Sequence, residues 1–121
     1  MNVSELEGVA LDWAVAKCEP DSTLEIYFDN ETGEPLCHDD WSDNQEFRPS
    51  TDWAQGGPII ERERIDVYGF DGEQWGAEDN LRARQYGDTP LVAAMRCYVA
   101  SKLGEVIDVP EALLNQKGER E

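Results

Sequence analysis

Basic residues are what this sequence lacks most. Ten Lys and Arg stand against 27 Asp and Glu in 121 residues, a formal net charge of −17. Between Lys17 and Arg48 there is no Lys or Arg, while Glu19, Asp21, Glu25, Asp29, Glu31, Glu34, Asp39, Asp40, Asp43 and Glu46 follow one another. Phosphate backbones are gripped by Lys and Arg, so a chain of this sign repels them and direct nucleic-acid binding is not expected. The same field attracts a partner with a basic surface and speeds its encounter. Solubility alone is the simpler use of such charge.

Other absences narrow the reading further. No apolar run approaches the length of a membrane-crossing helix. The N-terminus, MNVSELEGVALDW, carries acids where a secretion signal would carry Lys or Arg, so a cytoplasmic protein is expected. The three cysteines, Cys18, Cys37 and Cys97, are odd in number and widely spaced, which suits reduced thiols and not a disulfide framework. His38 is the only imidazole. It stands in Cys37-His38-Asp39-Asp40, but zinc sites use recurring pairs such as Cys-x-x-Cys, and none is present. Asp29-Asn30-Glu31-Thr32-Gly33 places glycine one position early for a calcium-binding loop. No metal, cofactor or nucleophile–base pair is therefore expected, and an enzyme is the least favoured reading.

What is present supports one domain with one core, over residues 1–115, with 116–121 fraying. Ser4-Glu5-Leu6-Glu7 has the form of a capping box, followed by Leu6, Val9, Ala10, Trp13 and Ala14 at helical spacing. Thr23–Phe28 is β-rich, a turn cluster follows, and Glu34–His38 returns as a short edge strand carrying Pro35. Ile59 and Ile60 start about one helical turn, and Ile65, Val67 and Tyr68 lead into a strand, with Glu61–Arg64 also able to extend it. Asp71-Gly72 marks a hairpin, with short strands within Glu73–Ala77 and Leu81–Tyr86. Thr89 and Pro90 open a helix over Pro90–Leu103 whose face is Val92, Met95, Val99 and Leu103, and Gly104 stops it. A last short helix is read over Val109–Leu114. The sum is α+β: a small antiparallel sheet packed by an N-terminal and a C-terminal helix.

Three stretches, VSELEGVALDWAVAKCE, PSTDWAQGGPIIERERI and GDTPLVAAMRCYVASKLG, occur in that order. Together they resemble a small phage and prophage family of unknown function, NinX-like. The resemblance covers most of the chain and is weakest across Asp21–Phe47, the acidic stretch. It implies a phage accessory product made inside a host bacterial cell, and it brings no catalytic residue with it.

The stretch Ser50–Pro58, STDWAQGGP, is the best candidate binding loop. Ser50, Thr51, Asp52, Trp53, Gln55, Gly56 and Gly57 form a polar, aromatic turn that Pro58 would close, with Trp53 at least partly buried to clamp it. No Gly-Lys-Ser/Thr follows, so a phosphate-binding loop is not indicated. Arg62 and Arg96 are the cations expected near it, Arg96 pairing with Asp52 or Glu61. Trp13, Met95 and Tyr98 are read as core, and Trp41 and Trp75 as exposed contacts. Two functions follow. The first is a non-enzymatic accessory protein that binds a macromolecule through Asp39, Asp40, Asp43 and their neighbours, as an inhibitor of a host defence or nucleic-acid enzyme. The second is a protein that holds a small anionic ligand, a nucleotide or signal molecule, in the STDWAQGGP loop.

Overall fold

The computed structural model describes residues 2–19, 25–28, 35–38, 47–79 and 83–109. The expected α+β architecture is present. Its helices are α1 (Gly8–Cys18), α2 (Trp53–Glu63) and α3 (Pro90–Leu103). Strands β1 (Glu25–Phe28) and β2 (Pro35–His38) form an antiparallel pair, with Glu25 opposite His38 and Phe28 opposite Pro35. Strands β3 (Asp66–Gly69), β4 (Trp75–Glu78) and β5 (Arg84–Gly87) form an antiparallel meander.

α3 is the centre of the molecule. Thr89 caps it as expected, its hydroxyl accepting from Val92 N at 3.1 Å, and Pro90 occupies the first turn. Gly104 ends it at φ 93°, a conformation that L side chains rarely adopt. The helix does not present one apolar stripe. Leu91, Ala93, Ala94, Met95, Cys97, Tyr98 and Val99 are all buried, because α1, α2 and the meander surround it. Of the expected face, Met95 and Val99 are central, Val92 is half-buried, and Leu103 is exposed because it lies at the free end of the helix.

The N-terminus differs from expectation. Ser4 does not cap α1. Val3–Glu5 forms a separate 3₁₀ turn, Leu6 is extended, and Gly8 at φ 59° resets the chain before α1 begins. Val3 and Leu6 are fully buried, and Val3 N donates to Glu105 O at 2.8 Å, so the turn is tied to the segment after α3. The break rotates α1 relative to the periodic reading. Its buried positions are Leu11, Asp12, Ala14, Val15 and Ala16, while Val9, Ala10 and Trp13 are half-buried at the core margin.

The Asp71-Gly72 hairpin forms as read. Asp71 Oδ1 accepts from Glu73 N at 2.8 Å and Gln74 N at 2.9 Å, which holds the β3–β4 turn. Asp79 closes β4–β5 in the same manner, accepting from Ala83 N at 2.9 Å. Strand alternation then sorts the meander. Val67, Ala77 and Gln85 lie in one row, and Val67 and Ala77 pack into the core beneath α3. The short helix read beyond Val109 lies outside the described residues.

Candidate functional site

The STDWAQGGP stretch is a helix start and not a closed turn. Asp52 is the N-cap of α2, its Oδ1 accepting from Ala54 N at 2.9 Å, and the helix runs from Trp53 through Gly56-Gly57-Pro58 to Glu63. Pro58 did not launch the helix. It sits inside it, and Gly57 before it has no Cβ to crowd the proline ring. Gly56 is buried where α2 meets Pro49 and Leu91: a Cβ there would collide with the Pro49 carbonyl oxygen and lie 2.6 Å from Leu91 Cδ2. The residue is glycine for close approach, and neither Gly56 nor Gly57 has a positive φ.

Most polar groups of this stretch bind the chain to itself, the buried Ser50 hydroxyl being the exception without a hydrogen-bond partner among the described residues. Gln55 Oε1 accepts from Arg48 N at 2.7 Å, and its amide nitrogen donates to Asp52 at 3.4 Å. Ser50 is buried, and its N–H donates to Oδ1 of Asp12, itself buried in α1, at 2.8 Å. Sequence reasoning did not single out Asp12, although a lone acid among apolar helix positions was the available signal. Trp53 is 56% exposed, the reverse of the expected clamp, because the α2 N-terminus projects it outward. Thr51 is exposed beside it.

The two arginines do not converge on this stretch. Arg96 crosses from α3 to donate to Leu6 O at 2.7 Å and Tyr86 O at 2.6 Å, so it joins the N-terminal turn to β5 and pairs with neither Asp52 nor Glu61. Burial pulls its guanidinium below the ordinary value, while Glu7 and Asp88 act in the opposite sense. Arg62 lies at the far end of α2. It pairs with Glu19 at 2.8 Å and Glu63 at 2.9 Å, and donates to the Tyr98 hydroxyl at 3.0 Å. Tyr98 is core, as read, and its hydroxyl donates to Glu19 at 2.6 Å. Burial, then Glu19, drives that phenol well above its ordinary range. Cys18 and Cys97 are free thiols pushed up to about 12, mainly by burial, so neither supplies a thiolate at neutral pH.

A different surface stands open. On the meander face away from α3, the row Tyr68–Gly76–Tyr86 is flanked by the row Asp66–Glu78–Arg84. Phe70 follows Tyr68 on the same side, its ring centroid 4.6 Å from that of Tyr86. Gly76 makes this arrangement possible. A Cβ there would lie 2.6 Å from two Tyr68 ring carbons, so the Tyr68 ring lies down over the glycine. Phe70 is 53% exposed; Trp75, exposed as expected at 39%, sits at the strand end in phase with the opposite row. Arg84 pairs with Glu78 at 2.9 Å. Asp66 at one end of this face and Asp71 and Glu73 in the β3–β4 turn carry no ion pair among the described residues. The alternation Tyr68-x-Phe70 and a glycine inside β4 were the sequence signals for this face. They were overlooked because the strands are only four residues long.

Among the described residues no cluster of His, Cys, Asp and Glu could hold a metal ion, and no helix is long and apolar enough to cross a membrane. Asp39, Asp40, Trp41 and Asp43 lie outside the described residues. A comparison with curated proteins finds no match. The family model described as Bacteriophage P22, NinX matches residues 2–102, which takes in α1, α2, both described sheets and α3 as far as Lys102. With five-sixths of its length matched, the chain belongs to the NinX family of phage proteins.

Proposed function

We propose that this phage protein acts without catalysis, by binding a protein partner that presents a basic surface. The observation that carries this reading is where the few bases go. Arg62, Arg84 and Lys102 are each paired with a carboxylate of the same chain. Arg96 is held by backbone carbonyls, and Lys17 lies over the Trp13 ring at 5.5 Å. These five described bases are thus engaged within the chain, and the acid excess of the sequence, −17 in all, sets a field of one sign. A basic nucleic-acid groove on a host defence or nucleic-acid enzyme is the kind of surface such a field suits, and inhibition is the effect that occupying it would have.

The test is a pull-down from phage-infected cells, followed by binding kinetics with the captured protein. Salt should weaken the wild-type complex, and Asp39→Lys, Asp40→Lys and Asp43→Lys together should slow association. Capture that is indifferent to both salt and charge reversal would refute the reading. Mass spectrometry of the purified protein for bound nucleotides tests the small-ligand alternative.

A further inference from the structure

We propose that the open face of the β3–β4–β5 meander is the docking surface, and that its occupant is an arginine-presenting segment of the partner protein. This rests on the basic-partner reading and names where and how that partner is held.

The face has the two features that a guanidinium group needs. The first is an aromatic floor. Tyr68 lies over Gly76, Tyr86 stands directly across from that glycine, and Phe70 packs against Tyr86. A planar guanidinium stacks on such rings, and an ammonium does so less well. The second is a carboxylate border. Asp66 lies at one end of the face, and the β3–β4 turn with Asp71 and Glu73 lies at the other. The only described base on this face, Arg84, is neutralised by Glu78, so Asp66, Asp71 and Glu73 leave it with net negative charge. The floor alone would also suit a nucleobase. The border decides against nucleic acid, because any phosphate that accompanied the base would meet Asp66, Asp71 and Glu73. This chain already stacks its own cations in the same way: Arg62 lies 5.6 Å from the centroid of the Tyr98 ring.

The experiment is an NMR titration of the intact protein at low ionic strength with a capped hexa-arginine peptide, a capped hexa-lysine peptide and a short single-stranded oligonucleotide. Hexa-arginine should shift the amides of Tyr68, Phe70, Gly76 and Tyr86 first, and bind roughly two- to fivefold more tightly than hexa-lysine. Phe70 is exposed, so Phe70→Ala and Phe70→Leu should keep the urea midpoint of the wild type while both lose the preference for arginine. Equal binding of the two peptides, with shifts scattered over all acidic segments, overturns this docking face and leaves the basic-partner reading standing. Binding of neither peptide overturns both. Oligonucleotide shifts on the same four amides overturn the arginine occupant in favour of a stacked base.

Discussion

Gly56→Ala and Gly57→Ala are neighbouring substitutions of one kind in one helix, and they should have opposite effects. Alanine is better than glycine inside a helix by about 1 kcal/mol, so each variant begins with that gain. At Gly57 the new methyl meets Trp53 Cε3 at 3.8 Å, an ordinary contact. Pro58 disfavours a helical residue with a Cβ before it, which trims the gain, so Gly57→Ala should be neutral or stabilising by up to ~1 kcal/mol. At Gly56 the methyl meets the Pro49 carbonyl and Leu91 Cδ2. Leu91 can rotate, but the Pro49 carbonyl has little freedom. Ser50 N is bonded to Asp12, and the N–H groups of Thr51 and Asp52 are both bonded to Arg48 O. Overpacking of this kind costs about 1–3 kcal/mol, which exceeds the propensity gain over most of that range. Gly56→Ala should therefore be the less stable of the two, by up to about 3 kcal/mol, and a kcal/mol in a domain of this size moves Tm by roughly 4 °C. Urea and thermal melts followed by circular dichroism measure the difference. Equal midpoints, or a Gly56→Ala protein more stable than Gly57→Ala, would show that α2 does not approach Pro49 closely.

Four further outcomes are expected. Val99→Asp places an unpaired charge at a fully buried position and should cost upward of ~3 kcal/mol in urea unfolding. Trp53→Ala, at an exposed position, should cost less than about 1 kcal/mol, as surface changes do. Tyr98→Phe removes the hydroxyl shared by Glu19, Arg62 and the Cys18 carbonyl, and should cost about 1–3 kcal/mol, read from the same melts. Glu63 is held below the usual carboxylate range, first by its hydrogen bond from Arg62 and also by Lys102. Its contribution is therefore present above its unfolded pKa and lost as pH falls through the depressed folded value. Glu63→Gln should narrow its stability gap to wild type as the pH of the melt is lowered from 6 towards 3.

Local chemistry was legible in the sequence wherever a side chain acts on its own backbone. Thr89 with Pro90 set the start of α3, Gly104 its end, and Asp71-Gly72 the β3–β4 hairpin, because a hydroxyl, a fixed φ or an αL-tolerant residue works within about four residues of itself. The acid excess was equally plain, being a property of composition. Asp52 as a backbone acceptor was legible too, but what followed it was not. Gly56-Gly57 is chemically the same pair in a turn and in a helix. Only the packing of α2 on Pro49 and Leu91 decided for the helix, and that helix turned Trp53 outward. The partners of Arg96 were hidden for a similar reason. They are the carbonyls of Leu6 and Tyr86, which carry no sequence mark and meet Arg96 only when the N-terminal turn and β5 both dock on α3. The aromatic face depends on register: Tyr68, Gly76 and Tyr86 lie in one row because two hairpins align them, and cross-strand pairing is a relation between distant residues that no local pattern contains.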